Sequence, residues 1–174
     1  PFFSPDGQWI AFFADTKLKK VALAGGAIIA LCNLGSAFSL PGGTWGPNNT
    51  ILFQSATGVF LEVPATGGAP RRVVAGSQHP MLRWPELMPG GGAMVFAGGS
   101  STFSFTTTAS IAAVALGGAG AEKDLIAEGT SPHLAATGHL VYEQTGTLMA
   151  VPFDSKRLEL KGSPAPVLEG VRES

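Results

Sequence analysis

The sequence predicts an all-β fold made of about four consecutive antiparallel sheets, and three observations support this prediction. A turn motif recurs through the 174 residues, apolar residues alternate with other residues after each copy, and glycine and proline are abundant. The chain contains 24 Gly and 13 Pro, whereas 45% of its residues are hydrophobic. This composition is rich in turns and still apolar enough to bury a core, so we expect short strands and no helical bundle.

The turn motif is clearest in its first three copies, and a more divergent fourth copy follows. The copies are Ser4-Pro5-Asp6-Gly7, Gly46-Pro47-Asn48-Asn49, Met88-Pro89-Gly90-Gly91 and Ala135-Ala136-Thr137-Gly138. Proline at the second position fixes φ near about −65°, and Asp, Asn or Gly tolerates the conformations that follow in a tight turn. The copies lie roughly 40 residues apart, a spacing typical of four-stranded repeats.

Each turn is expected to join the first two strands of a repeat. A large apolar residue precedes each turn, and an alternating pair follows it: Phe3 before Ile10 and Phe12, Trp45 before Ile51 and Phe53, Leu87 before Met94 and Phe96, and Leu134 before Leu140 and Tyr142. A period of two indicates a strand with one buried face. Third strands are predicted at 18–23, 59–63, 110–116 and 147–153, and fourth strands at 27–31, 72–74, 124–126 and 166–168.

These repeats favour a β-propeller segment of about four four-stranded antiparallel blades, in units 1–31, 42–75, 83–127 and 132–168. Propellers contain four to eight blades, and an open arc leaves the apolar faces of its end blades exposed. We therefore expect the ring to continue to six or more blades. The first residue, Pro1 rather than Met, agrees with a segment of a longer protein.

At this point the sequence resembles a known family. The segment 1–13, PFFSPDGQWIAFF, resembles the TolB-type (WD-like) propeller repeat, and segments 18–27, 44–53, 83–91 and 139–154 are similar to the C-terminal propeller of bacterial eukaryotic-like serine/threonine kinases. The resemblance implies a sensor or protein-interaction module outside the cytoplasm, in a parent anchored in the membrane. The glycine-rich loop and catalytic-loop His-Arg-Asp of such kinases are absent, so kinase activity would lie outside these residues.

Charge and cysteine content exclude several other classes. The 11 Lys and Arg balance 12 Asp and Glu, so no basic surface is expected for nucleic acid or for direct membrane contact. The single cysteine, Cys32, excludes an internal disulfide and lies in an apolar stretch, which predicts a small core residue.

No catalytic, metal or cofactor site is expected. The sequence lacks the Gly-x-Ser-x-Gly motif of nucleophilic hydrolases and the Gly-Lys pair of phosphate-binding loops. His133 and His139 are predicted on opposite sides of a turn, and His79 is predicted alone in a loop, so none has the short spacing of zinc ligands. Asp6 is predicted to form its turn rather than to bind calcium, because the other turn copies lack a carboxylate there.

The candidate binding residues lie on or beside the first strands, which line the central channel of a propeller. They are Thr44, Arg83, Glu86 and His133, with Trp84 as a possible aromatic anchor. Arg83 and Glu86 could instead pair with each other or with neighbouring blades, and Trp84 could be core. Phe103 and Phe105 lie in an insertion at 98–110, which is either an extended hairpin tip or a contact loop.

The first functional hypothesis is therefore a non-catalytic binding module for a protein, a peptide or a small molecule in the channel. The alternative is a propeller that gates a prolyl-oligopeptidase-type hydrolase. A third possibility, a channel with its own catalytic groups, predicts clustered carboxylates and histidines at the axis, which the sequence does not suggest.

Overall fold

A computed structural model describes residues 1–35, 42–55, 59–73, 78–79, 81–99, 109–117 and 121–171. Every regular element in these ranges is a β-strand, and the strands form four antiparallel sheets, here called blades 1 to 4. Within the same ranges the structure contains no helix long and apolar enough to cross a membrane. The predicted all-β fold of four consecutive meanders is confirmed.

Each blade is built from strands that are consecutive in the chain. Blade 1 contains β1 (Phe2–Phe3), β2 (Trp9–Ala14), β3 (Lys17–Ala22) and β4 (Ile29–Asn33). Blade 2 contains β5 (Gly43–Trp45), β6 (Thr50–Gln54), β7 (Phe60–Pro64) and β8 (Arg71–Arg72). Blade 3 contains β9 (Met81–Leu87), β10 (Ala93–Gly99), β11 (Ser110–Ala115) and β12 (Lys123–Ile126). Blade 4 contains β13 (Thr130–Ala135), β14 (His139–Gln144), β15 (Thr147–Asp154), β16 (Glu159–Leu160) and β17 (Ala165–Glu169).

Most strand ends lie within one or two residues of the prediction, and two differences stand out. The fourth strand of blade 1 begins at Ile29 rather than at residue 27, because Gly25 and Gly26 both have positive φ and the chain needs further residues to return to the sheet. Blade 4 has an additional short strand, β16, which pairs with the end of β15, whereas β17 takes the expected fourth position beside β15.

Side-chain hydrogen bonds of the turn motif hold the first turn in place. Oδ1 of Asp6 accepts hydrogen bonds from Oγ of Ser4 at 2.5 Å and from the backbone N–H of Gln8 at 3.0 Å. Oγ of Ser4 in turn accepts from the backbone N–H of Trp9 at 2.9 Å. The hydrogen bonds that Asp6 accepts, first that from Ser4 and then that from Gln8, lower its pKa. Asp6 therefore acts as a turn former, as predicted.

The blades pack face to face in chain order, with one apolar cluster at each junction. The cluster between blades 1 and 2 contains Ala11, Leu18, Leu31, Cys32, Trp45, Ile51, Phe53 and Val63. The next contains Leu52, Phe60, Leu82, Met94, Phe96, Ala112 and Val114, and the last contains Val95, Ile111, Ala113, Leu140, Tyr142, Val151 and Phe153. Cys32 is buried in the first cluster, as the sequence predicted.

The first strand of each blade lies at the common inner edge. β1 lies beside β5, β5 beside β9, and β9 beside β13, in the order in which they occur in the chain. In each blade the later strands follow outward from this first strand. The inner strands therefore bring side chains from all four blades towards one axis.

Candidate functional site

A cavity of about 520 Å³ opens at the inner edge and is lined by residues of all four blades. We call this cavity the mouth. Its lining consists of Pro1, Phe2, Phe13, Gly42, Gly43, Arg83, Trp84, Pro85, Glu86, Ser131, Pro132 and His133. Aromatic and proline rings make up its apolar surface, and one arginine, one glutamate and one histidine carry its ionisable groups. Concave sites with apolar walls and a few convergent polar groups are the usual form of ligand sites.

Two inner strands are distorted at equivalent positions beside the mouth. In β9, Trp84 and Pro85 together lie opposite Phe96, because the register shifts between the pairs that flank them. In β13, Ser131 and Pro132 occupy the equivalent position, and the register of the pairing between β13 and β14 shifts there as well. These are β-bulges, which proline tolerates because it has no N–H to donate to the ladder.

The residue before each of these prolines has a left-handed backbone. φ is +47° at Trp84 and +49° at Ser131, and this conformation is rare for a residue other than Gly, Asn or Asp. Each such residue costs about 1–3 kcal/mol, and strain of this kind concentrates at functional sites. Its repetition in adjacent blades, on the two strands that face the same cavity, makes the mouth the strongest candidate for a site.

Glu86 connects blade 3 to blade 4 at the rim of the mouth. Its Oε2 lies 2.6 Å from Nδ1 of His133, and its Oε1 accepts a hydrogen bond from the backbone N–H of Leu134 at 2.9 Å. The hydrogen bond with Glu86 raises the pKa of His133, because the carboxylate stabilises the imidazolium. Both carboxylate oxygens are engaged, so Glu86 holds β13 in place and orients His133.

Blade 2 contributes backbone rather than side chains to the mouth. A Cβ at Gly43 would lie 2.6 Å from Cε1 of Phe2, and a Cβ at Gly42 would lie 3.1 Å from both Pro85 Cδ and the backbone nitrogen of Trp84. Glycine at these positions therefore permits β5 to approach blade 1 on one side and blade 3 on the other. A larger residue at Gly42 would press on the backbone of β9, whereas a larger residue at Gly43 would have to displace the Phe2 ring.

The candidate residues from the sequence are only partly brought together. Arg83, Trp84, Glu86 and His133 all line the mouth. Thr44 lies on β5 opposite Leu52, and the lining from this part of the chain is Gly42 and Gly43 instead. Phe103 and Phe105 lie outside the described residues.

Sequence reasoning missed Phe2, Phe13 and Ser131 as lining residues. The Ser131-Pro132 and Trp84-Pro85 dipeptides were the available signal, because proline inside a strand indicates an edge or a bulge. His79 is also placed differently from the prediction of an isolated loop histidine. Its Nε2 lies 3.1 Å from Oδ1 of Asp124, and its ring packs near Phe96 in blade 3.

A second cavity, of about 510 Å³, lies between blades 2 and 3 away from the mouth. Val73, Leu87 and Leu116 contribute apolar surface, whereas Glu62 and Arg71 form an ion pair on its wall. Two blades form this cavity, compared with four at the mouth. A substitution in its lining can therefore serve as a control for substitutions at the mouth.

The mouth presents charged groups and flat apolar surface side by side. Across the described ranges no group of three or more His, Cys, Asp or Glu side chains is placed to hold a metal ion. Arg83 supplies a fixed positive charge, the Glu86–His133 pair supplies a charge that depends on pH, and Trp84 and Phe2 supply flat apolar surface.

No protein-family model and no curated protein matches the sequence. Solved structures do match the fold. TolB from Acinetobacter baumannii has a TM-score of 0.72 at 16% identity over 98% of this chain, and a putative TolB from Agrobacterium tumefaciens has 0.70 at 16% identity over 100%. This chain spans 43% and 61% of their respective lengths.

A puromycin-hydrolyzing peptidase of Mycobacterium tuberculosis is also similar, with a TM-score of 0.59 at 15% identity. The match covers 92% of this chain and 32% of the peptidase. Likeness at these identities establishes the fold alone. The chain therefore has the all-β fold of TolB-type propeller proteins.

Proposed function

We propose that this chain is a non-catalytic binding module that holds a protein segment, a peptide or a small molecule at the mouth. The observation that carries the proposal is the pair of left-handed residues before proline, Trp84 and Ser131, on adjacent inner strands that face one cavity. Rigid blades fix these strands, so recognition would depend on the displayed side chains and no reactive group is needed.

The proposal extends to the parent protein. The resemblance of segments 18–27, 44–53, 83–91 and 139–154 to kinase-associated propellers supports an extracytoplasmic sensor in a membrane-anchored serine/threonine kinase-like receptor of a bacterium. In this arrangement the mouth binds the signal and the remainder of the ring completes the propeller. The open reading frame that encodes the chain tests this extension: a kinase domain and a membrane span upstream are expected, and their absence contradicts it.

One observation favours a second candidate, a propeller that gates a hydrolase. The similarity to the puromycin-hydrolyzing peptidase covers only 32% of that enzyme. In this case the mouth would filter substrates by size rather than retain a ligand. A hydrolase domain with a nucleophile elbow encoded downstream would support this candidate over the receptor.

Ligand binding can be tested with the chain itself. We would select phage-displayed peptides on the purified protein and measure the affinity of synthetic copies by calorimetry. Loss of an interface anchor costs about 2 kcal/mol or more, so Trp84→Ala should weaken binding at least about tenfold. His133→Ala, at a side chain that is 75% exposed, provides a second variant that leaves the core intact.

Arg72→Ala is the matched control, because Arg72 lines the second cavity and not the mouth. It should bind the selected peptides as the wild type does. Amide chemical shifts of Gly42, Gly43, Ser131 and His133 should move on titration. Peptides that bind equally well to all three variants, or that shift amides elsewhere, would contradict the proposal.

A further inference from the structure

Strand pairing shows which residues of successive blades are equivalent. Directly paired residues of antiparallel strands lie side by side on one face of the sheet. Each blade carries one apolar row of such pairs, and the rows are Phe3–Ile10–Val21, Trp45–Ile51–Val63, Leu87–Met94–Val114 and Leu134–Leu140–Val151. Other positions can be compared between blades by counting along a strand from its row residue.

Aromatic rings fill the space beside the turns at the junction of blades 1 and 2. Trp9 directly precedes the row residue of β2, and Trp45 is the row residue of β5. Nζ of Lys20 lies 4.4 Å from the ring centroid of Trp9 and 5.9 Å from that of Trp45. The Nε1–H of Trp45 also donates a hydrogen bond to Oδ1 of Asn49 at 3.1 Å. Two indole rings and an ammonium group therefore occupy this junction.

An aromatic ring also fills the junction of blades 3 and 4. Phe153 lies two residues after Val151, the row residue of β15, and is 8% exposed. It pairs with Leu160 of the additional strand β16, and Leu158 packs against the same apolar cluster. The phenyl ring and the two leucines thus take up the space beside the turns.

The junction of blades 2 and 3 has smaller side chains at these positions and contains the second cavity, of about 510 Å³. The equivalents of Trp9, Trp45 and Phe153 are Thr50, Leu87 and Leu116 respectively, and all three line the cavity. None of the described lining residues is aromatic. Blades of the chain flank this junction on both sides, so the gap follows from the smaller side chains.

The cavity wall adds a positive charge to this gap. Glu62, whose side chain is 13% exposed, forms an ion pair with Arg71, which is 79% exposed. Arg72 lines the cavity as well. Two arginines and one glutamate give the described lining one net positive charge. The cavity therefore combines space for a flat ring with a preference for an anion, and guanidinium groups match the geometry of a carboxylate.

We propose that the second cavity binds a small molecule that combines a flat aromatic ring with one carboxylate. The ring lies against Leu87 and Leu116, in the space that indole and phenyl rings occupy at the flanking junctions. The carboxylate lies at the wall and accepts hydrogen bonds from the arginines. The cavity volume of about 510 Å³ is within the usual range of ligand sites. The inference goes beyond ligand binding at the mouth and does not depend on it.

Calorimetry with three simple probes tests the class of ligand. Phenylpropionate carries both the ring and the carboxylate, phenylpropionamide lacks the charge, and hexanoate lacks the ring. Phenylpropionate should bind to the purified chain. The amide should bind at least about tenfold more weakly, because it cannot accept the charge-assisted hydrogen bonds. Hexanoate should also bind more weakly, because it leaves the ring space unfilled.

Amide chemical shifts identify the cavity that phenylpropionate occupies. The amides of Gly46, Gly91 and Gly117, which line the second cavity, should move on titration. Those of Gly43 and Ser131, which line the mouth, should stay in place. This comparison separates the proposed site from the mouth, which also contains an arginine.

A cavity-filling variant tests the origin of the site. Leu116→Phe places in blade 3 the phenyl ring that blade 4 has at Phe153, so it should abolish the binding of phenylpropionate. Leu23→Phe is the matched control, because Leu23 lies two residues after Val21 and therefore has the equivalent position in blade 1. It is 52% exposed and lies outside the cavity, so this variant should bind as the wild type does.

Two substitutions at the wall should shift the affinity in opposite directions. Arg72→Gln removes a positive charge and should weaken the binding of phenylpropionate about tenfold. Glu62→Gln removes the negative charge and releases Arg71 from its ion pair, so it should strengthen binding severalfold. These two variants test the proposal even if Leu116→Phe loses its far-ultraviolet circular dichroism.

Several outcomes would overturn the proposal. Phenylpropionate could fail to bind at millimolar concentration, or the amide could bind as well as the acid. Folded Leu116→Phe could bind as Leu23→Phe does, or the two wall variants could leave the affinity unchanged. Shifts confined to the amides at the mouth would assign the ligand to that site and leave the second cavity without one.

Discussion

Blades 1 and 2 present the same apolar pattern on the same strands but place it in different environments. Ile51 and Val63 in blade 2 are fully buried against blade 1, whereas Ile10 and Val21 in blade 1 are only partly buried. The alternation of apolar residues therefore specifies which side of a strand is meant for packing. Whether that side is covered depends on the presence of a neighbouring blade, a property that no single repeat contains.

The largest effect expected from this difference is on stability. Ile51→Ala removes a fully buried side chain and should lower the free energy of unfolding by about 2–5 kcal/mol, the usual range for such cavities. The matched variant Ile10→Ala should cost about 1 kcal/mol or less in the isolated chain, because little cavity forms at a partly exposed site. Urea unfolding at low protein concentration measures both, and equal losses would contradict the comparison.

A smaller effect is expected where blades 1 and 2 meet at the mouth. Gly43→Ala introduces a Cβ against the ring of Phe2 and should destabilise the protein by about 1–3 kcal/mol, the range for overpacking. Gly92→Ala is the control, because no atom lies within 4 Å of its added Cβ and its φ is not positive. Thermal unfolding should separate the two variants, and a neutral Gly43→Ala would show that the Phe2 ring does not pack firmly against β5.

The smallest effect concerns the polar contact between blades 3 and 4. The folded protein raises the pKa of His133, so the contact with Glu86 stabilises the fold fully below the unfolded pKa of about 6.5. That contribution is lost as the pH rises through the folded pKa. Because the His133 side chain is 75% exposed, the loss should be about 0.5 kcal/mol or less.

Nuclear magnetic resonance measures this contact directly. The pKa of His133 should lie above the ordinary histidine value in the wild type and fall towards it in Glu86→Gln. The stability difference between wild type and Glu86→Gln should be larger at pH 5.5 than at pH 8.5. An unchanged His133 pKa in the variant would mean that Glu86 does not hold the imidazole in solution.

The sequence predicted the meanders well because their determinants are local. Turn residues such as Pro5 and Asp6, and the alternation around Ile10, act within a few positions of the chain. The bulges at Trp84 and Ser131 were not predicted, although the proline that follows each residue was a signal for them; their positions in the ladders depend on β10 and β14. The exposure of Phe3 at the end of blade 1 agrees with the expectation that an open arc leaves the apolar faces of its end blades exposed.

At the mouth, too, the sequence predicted local features better than contacts between blades. Arg83, Glu86 and His133 could be selected because they are polar and lie beside predicted first strands. Pairing of Glu86 with a neighbouring blade was one of the alternatives that the sequence left open. Its partner, His133, could not be named, since the contact joins residues 86 and 133 through the packing of two blades. Gly42 and Gly43 were overlooked because their contribution is space for Phe2 and Pro85 rather than a functional group.

The most direct test of the central claim, that consecutive meanders pack side by side around one inner edge, is a set of nuclear Overhauser effects between blades. The structure predicts contacts from Gly43 Hα to the Phe2 ring, from Gly46 Hα to the Leu87 methyl groups, and from Gly129 Hα to both Ile111 and Tyr142. Observation of all three sets would establish the junctions between blades 1 and 2, 2 and 3, and 3 and 4. Their absence, with contacts between strands of non-consecutive meanders in their place, would contradict the account.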